Sequence, residues 1–360
     1  MSPSDSADPF AADDEDTAET DGGPSMDRAK AFTTETEYST SRGQELRELY
    51  DRKFYAPVQI MMNDYRGIFG MLILLLYILM GTVGVALYPR PSQSTNYLVP
   101  WFETMEYPLG TDVAGRDLLG MVIWATPAML QLMLGGALFA ISLSVAIGTI
   151  AGYKRGLTDR VLMTITDVAM TLPGLPLLIV LIAVLQPTNP FLIGIILSIN
   201  AWAGGARSIR SQVLQIRKSD YVEASRAMGV SAGRNVQKNV IPELLPMIAM
   251  TFMSSLVGIL YAAVGLYFLG IMPTEQINWG VMLNTAYTEV DFNNFTNFHY
   301  LIVPLFAISL FGVGTVYVAQ AFDRVFNPRL RAKHAKTIRG GSDDDNEETV
   351  DAGTVGGMVR

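Results

Sequence analysis

Residues 217–246, RKSDYVEASRAMGVSAGRNVQKNVIPELLP, hold the densest set of groups suited to binding a partner. The stretch is polar and basic, yet it lies between two long apolar segments. It reads as two short helices with a sharp corner. Asp220 is placed to cap the first, and Glu223 three residues on makes an acidic variant of the capping box. Tyr221, Val222, Ala224, Ser225 and Met228 continue that helix, and Gly229 is a natural left-handed stop. Ser231 is placed to cap a second helix running toward Pro242 and Pro246. A short, doubly terminated element of this kind docks with something.

No set of residues for bond-breaking chemistry accompanies it. Serines inside the apolar runs lack a histidine partner, and no phosphate loop of the form GxxxxGK[ST] is present. The chain has no cysteine, which excludes disulfides, thiol catalysis and zinc–thiolate sites. His299 and His334 are too far apart in sequence to suggest a metal cluster. Neither a catalytic nor a metal site is therefore expected, and energy for uphill movement must come from a partner or an ion gradient. Asp167 is the clearest ionisable group inside an apolar run, and an intramembrane carboxylate is a functional hypothesis by default. Its structural alternative is pairing with Arg160 or with a neighbouring chain, two turns from the basic 153–160 turn. Residues 107–126 form a further candidate. Thr111 or Asp112 is placed as a helix cap, Asp112 and Arg116 have the spacing of an ion pair, and Gly110 and Gly115 permit tight backbone. This segment reads as an outer-surface helix sealing the mouth of a bundle, with substrate contact as the alternative.

The elements that must position these groups are membrane spans. Half the residues are hydrophobic and 17% are charged, and the apolar ones fall in runs of spanning length. Residues 1–26 carry eight acids and no Lys or Arg, and residues 341–360 carry six acids and one Arg. The tails thus hold −13 of a net −8, and the chain between them is about +5. Both tails, 1–26 and 332–360, lack apolar periodicity and are predicted to be disordered. Acidic tails also suit the cytoplasm of a halophile. Residues 27–66 predict an amphipathic approach helix on the cytoplasmic interface, with a plain solvated helix as the alternative. No signal peptide is expected, since the first apolar run begins more than sixty residues in. Six spans follow, at about 67–88, 128–152, 161–185, 190–206, 247–270 and 300–322, inside a transmembrane domain over 67–331. The third contains Pro173-Gly174 and should be kinked; the fourth is short and ends in Gly204-Gly205. Small residues at Gly135, Gly136, Ser142, Ser144, Gly148, Ser254, Ser255 and Gly258 suit helix–helix contacts in lipid. Arg and Lys gather in the N-terminal approach, the 153–160 turn, the 207–246 loop and the C-terminal exit. Residues 271–299 have none. The positive-inside rule therefore places both termini and the 207–246 loop in the cytoplasm.

Taken in order, these motifs resemble the permease subunits of prokaryotic ABC importers, specifically the C-type permease of the dipeptide/oligopeptide/nickel family. The family's Glu-Ala-Ala, three residues, Gly pattern stands here as Glu223-Ala224-Ser225 and Gly229, with Ile241-Pro242 beyond it. Pro108-Leu109-Gly110-Thr111-Asp112 with Gly115-Arg116-Asp117 is similar to the segment before the family's second span. Ala151-Gly152-Tyr153, Asp159, Asp167, Leu172-Pro173, Phe268-Leu269-Gly270, Trp279-Gly280, Met282-Leu283 and Asn327-Pro328-Arg329-Leu330 also fall where the family has them. Ser225 replaces an Ala, and Asn239 and Glu243 stand where His and Asn are common. The resemblance covers residues 45–331. It implies an all-α membrane protein, a six-span bundle with a cytoplasmic coupling-helix loop. Asp220, Tyr221, Glu223, Ala224, Ser225, Arg226, Gly229 and Pro242 would form the ATPase-coupling site, with Glu223 and Arg226 making charge-assisted bonds to the partner. Gly110 to Asp117 would be an external-gate or structural motif. The implied partners are a second homologous permease, two ABC ATPase subunits, an extracellular substrate-binding protein and membrane lipid, with no nucleic acid. ATP and Mg would bind in the ATPase subunits, with no cofactor on this chain. The resemblance favours short peptides as cargo, with nickel complexes or oligosaccharides as alternatives. An ion-coupled secondary carrier and a non-transporting membrane scaffold are the readings from other classes.

Overall fold

A computed structural model describes residues 64–272, 276–290 and 297–326. Both predicted acidic tails, nearly all of the 27–66 approach helix and Asn327 to Leu330 lie outside the described residues. Among the described residues the regular elements are helices, with one isolated bridge between Thr111 and Asp117 in the non-helical stretch 88–117. Helix α1 runs over Tyr65–Leu87, α2 over Leu118–Lys154, α3 over Gly156–Thr171 and α4 over Gly174–Leu185. Then come α5, Pro190–Leu197, α6, Trp202–Ile216, and α7, Asp220–Ala227. Last are α8, Ala232–Phe268, α9, Trp279–Glu289, and α10, Phe298–Phe326. Helices α1, α2, α8 and α10 are each long and apolar enough to cross a membrane; counting the bent pairs α3–α4 and α5–α6 as one span each gives six.

Proline chemistry explains where two of these elements differ from simple rods. Between α3 and α4 the axis turns by 84°. Leu172 takes ψ 130°, as a residue before proline must when the ring excludes the helical region. In contrast, α2 carries Pro127 inside it without ending. The second span was expected from 128, with a separate outer helix ahead of it. Instead one helix starts at Leu118, because the cap is Asp117, whose carboxylate accepts the N–H groups of Leu119 and Gly120 at 3.2 and 2.9 Å. Two other boundaries also differ. The helix of the fourth span does not stop at Gly204-Gly205; the chain bends by 61° between α5 and α6, and α6 continues through the glycines to Ile216. The two short helices expected in 217–246 are not both separate elements. The second helix of the loop and the fifth span are one continuous α8, with a π turn over Val236–Val240 just ahead of Pro242, which has no N–H to offer.

The long α2 is the central element, packed along its length by α5, α6 and α8. Close approach requires missing side chains at one crossing above all. A Cβ on Gly194 would lie 1.9 Å from the Leu132 carbonyl oxygen, and one on Gly136 would lie 2.4 Å from that of Gly194. Backbone therefore meets backbone there, as small-residue packing in lipid allows. Of the other small residues picked out in sequence, Gly258 has nothing within 4 Å of an added Cβ. The largest core cluster joins α1, α2, α8, α9 and α10, with residues of α4 and α5. In it Trp279 is fully buried, Tyr77 meets Trp279 and Phe311 edge-on at 5.3 and 5.2 Å, and the Tyr77 hydroxyl donates to the Ala307 carbonyl at 2.5 Å. Leu72, Leu75, Leu76 and Leu79 of α1 stay exposed, as a face turned to hydrocarbon requires.

Candidate functional site

The residues of 217–246 come together at the end of the bundle where α2 meets α3 and α6 ends. Helix α7 differs from the expected form at its start. Ser219, not Asp220, is the N-cap, and the Ser219 hydroxyl donates to the Ile216 carbonyl at 2.6 Å instead of capping. Asp220 and Glu223 both fall in the first turn, where exposed N–H groups favour carboxylates. At the other end Gly229 adopts φ +77°, a conformation costly for any residue with a side chain. Its N–H bonds the Arg226 carbonyl and that of Val230 bonds the Ser225 carbonyl, the paired bonds of a Schellman stop. Ser231 takes the N-cap position of α8, without a side-chain bond.

Val222 fixes α7 to the bundle. It is 0% exposed and belongs to a cluster with Ile141 and Tyr153 of α2, Ile209 and Val213 of α6, and Val240 and Leu244 of α8. A fully buried valine contributes about 1.5–3 kcal/mol, enough to seat a two-turn helix. The opposite face stays free: Asp220, Tyr221, Glu223, Ala224 and Arg226 are exposed, as is Pro242. Polar ties then join α7 to the first turns of α8. The Tyr221 hydroxyl donates to Glu243 Oε2, while Asn239 Nδ2 donates to Ser225 Oγ at 3.3 Å and to Asn235 Oδ1 at 2.6 Å. Asn235, fully buried, reaches the Val222 carbonyl at 3.4 Å. Burial first, and then the Glu243 carboxylate, raise the Tyr221 phenol above its ordinary pKa. Ser225, Asn239 and Glu243, three of the positions noted above as departing from the resemblance, all take part in the contacts between α7 and α8. Sequence reasoning missed Asn235 entirely; its signal was an amide four residues ahead of Asn239 on one helix face.

Two ion pairs hold α3 against α6. Asp167 pairs with Arg207, and Asp159 accepts Nε and Nη2 of Arg210 at 2.5 and 2.7 Å. The expected alternative of Arg160 as the partner of Asp167 is therefore corrected. Arg160 lies seven residues back on the same helix, about 10 Å along its axis, whereas α6 passes alongside. Within this chain Asp167 is 57% exposed and Arg207 52%.

At the far side of the bundle, Gly110 to Asp117 form a knot rather than a helix, which corrects the expected cap at Thr111 or Asp112. Both side chains are already engaged. Thr111 Oγ1 accepts the Val99 N–H at 2.9 Å and donates to the Asn96 carbonyl at 2.6 Å. Asp112, 0% exposed, accepts the N–H groups of Ala114 and Arg116 at 2.9 and 2.7 Å and pairs with the Arg116 guanidinium at 2.7 Å. Gly110 and Gly115 turn at φ +85° and +70°, and the Tyr88 hydroxyl donates to Asp117 at 2.5 Å. This geometry staples residues 94–99 to the start of α2. Helix α9, unforeseen within residues 271–299, is capped by Asn278, which accepts the Val281 N–H at 2.9 Å.

Residues 144–332 match the family described as the binding-protein-dependent transport system inner membrane component. The dipeptide transport system permease protein DppC of Bacillus subtilis (strain 168) is 30% identical over 267 residues, covering 73% of this chain and 81% of the relative. The oligopeptide transport system permease protein OppC of the same organism is 28% identical over 270 residues, 73% and 85% of the two chains. The glutathione transport system permease protein GsiD of Pectobacterium atrosepticum is 27% identical over 227 residues, 62% and 73%.

Proposed function

The chain belongs to the family of binding-protein-dependent transport system inner membrane components, and we propose that it is the C-type permease of an ATP-driven importer of short peptides. It forms half of the translocation pathway, and a second, homologous permease forms the other half. Two ATPase subunits sit on the cytoplasmic face and bind the ATP and Mg; a substrate-binding protein delivers cargo outside. The positive-inside distribution supports placing both termini and α7 in the cytoplasm. Peptide cargo is supported by the names of the relatives: dipeptides, oligopeptides and glutathione, itself a short peptide.

The observation that carries this reading is α7. It is a rigid two-turn helix, stopped by Gly229 and seated on Val222, with Asp220, Tyr221, Glu223, Ala224 and Arg226 presented outward. Because α7 is tied to the base of α8 through Tyr221–Glu243 and Ser225–Asn239, a displacement imposed on α7 by an ATPase passes into a spanning helix. A flexible loop would absorb it. The ion-coupled carrier is disfavoured by the pairing of Asp167 with Arg207, which leaves no free acid at that position to carry a proton. Glu223→Lys is expected to weaken association of the ATPase subunits about tenfold and to reduce transport-coupled ATP hydrolysis with it, by replacing attraction with like-charge repulsion at the contact. Co-purification and hydrolysis assays on the assembled transporter check this; unchanged assembly and hydrolysis would remove α7 from the docking site.

A further inference from the structure

Beside α7 lies a cleft of about 180 Å³ lined by Arg155, Leu214, Arg217, Lys218, Glu223 and Arg226. Four cations thus surround a single carboxylate. Other basic groups on the same face are satisfied within the chain, Arg207 by Asp167 and Arg210 by Asp159. Arg217 is not. Its Nη1 is buried with no hydrogen-bond partner, and its guanidinium packs over the Tyr153 ring at 5.9 Å. Burial first, then the charges of Arg226 and Arg155, lower its pKa. Arg155 itself is held at φ +59°, a strained conformation for a residue with a side chain. A desolvated guanidinium nitrogen facing like charges is costly, and an anion beside it would offset that cost.

We propose that this cleft receives an acidic side chain of the ATPase subunit. The occupant follows from continuity, since Glu223 and Arg226 are residues of α7 and line the cleft; a subunit seated on α7 covers its mouth. Docking then uses both signs of charge. Glu223 offers a carboxylate to the partner, and Arg217, Lys218 and Arg155 accept one from it, with Arg217 able to bind a carboxylate through two N–H groups. Opposed pairs of this kind fix register as well as contact, because a rotated or shifted partner would place like charges together.

The proposal rests on the assignment of α7 as the ATPase contact, and the test separates the two. In the complete reconstituted transporter, Arg217→Glu is expected to weaken ATPase association at least tenfold at low salt, while the second permease still co-purifies. Replacing each surface acid of the ATPase by Lys in turn should then find one position that restores association with Arg217→Glu. Unchanged association in Arg217→Glu, with Glu223→Lys still weakening it, would overturn the cleft alone. No effect from either variant would overturn the docking reading as well. An Arg217→Glu defect that no ATPase acid-to-Lys change restores would assign the cleft to a lipid or soluble anion and overturn the proposal.

Discussion

Val222→Asp is expected to abolish transport-coupled ATP hydrolysis while leaving the permease bundle folded. The side chain is 0% exposed and belongs to a buried cluster with residues of α2, α6 and α8. The change removes the burial that seats α7, about 1.5–3 kcal/mol, and a carboxylate left there without a partner would cost several kcal/mol more. Release of α7 into water relieves that cost, so the helix detaches rather than the whole chain unfolding. The large cluster around Trp279, Tyr77 and Phe311 is built from other residues and should keep its stability, since distant sites add nearly independently. Hydrolysis stimulated by substrate should fall to the level of the ATPase subunits alone. Thermal unfolding of the variant should stay close to that of the unaltered protein. A Val222→Ala variant, which removes methyl groups without adding charge, should lie between the two. Full coupling in Val222→Asp would mean that the seating of α7 is not needed for transmission.

The second large effect is expected at the crossing of α2 and α5. Gly194→Leu places a branched side chain where even a Cβ would lie 1.9 Å from the Leu132 carbonyl oxygen. The obstacle is backbone, which has no rotamer to change, so the helices must separate and lose their contact. Overpacking of this kind costs about 3 kcal/mol or more. Detergent-solubilised protein should show a sharply lower unfolding temperature and a smaller monodisperse peak on size exclusion. Gly258→Ala is the matched control, because nothing in the chain lies within 4 Å of an added Cβ there.

The contrast between these two glycines shows where sequence stops. Gly194 and Gly258 look alike as small residues in apolar helices, yet only the first faces another backbone; facing is set by which helices meet. The stop at Gly229 was legible because a positive φ is a local demand that glycine meets at least cost. Helix starts were less so. Ser219 and Asp220, or Thr111, Asp112 and Asp117, are all good caps by type, and tertiary bonds to Asn96, Val99 and Arg116 decide which remain free. The bend at Pro173 followed from proline chemistry, whereas the bend after Leu197 contains neither Gly nor Pro and had no local signal to announce it. Arg217 counted in sequence only as one more positive charge on the basic side. Its burial against Tyr153 exists only once α2 and α6 pack together. The family was legible because its motifs stand as contiguous runs, and the residues of α7 proposed to dock are contiguous too, unlike the scattered groups of most active sites.

The most direct test is uptake of a labelled dipeptide into proteoliposomes holding this chain, the second permease and both ATPase subunits, with the binding protein outside and ATP within. Accumulation should require ATP and every subunit, and should survive ionophores that dissipate ion gradients. Uptake that proceeds without the ATPase subunits and collapses with the gradients would contradict an ATP-driven importer and make the chain a secondary carrier.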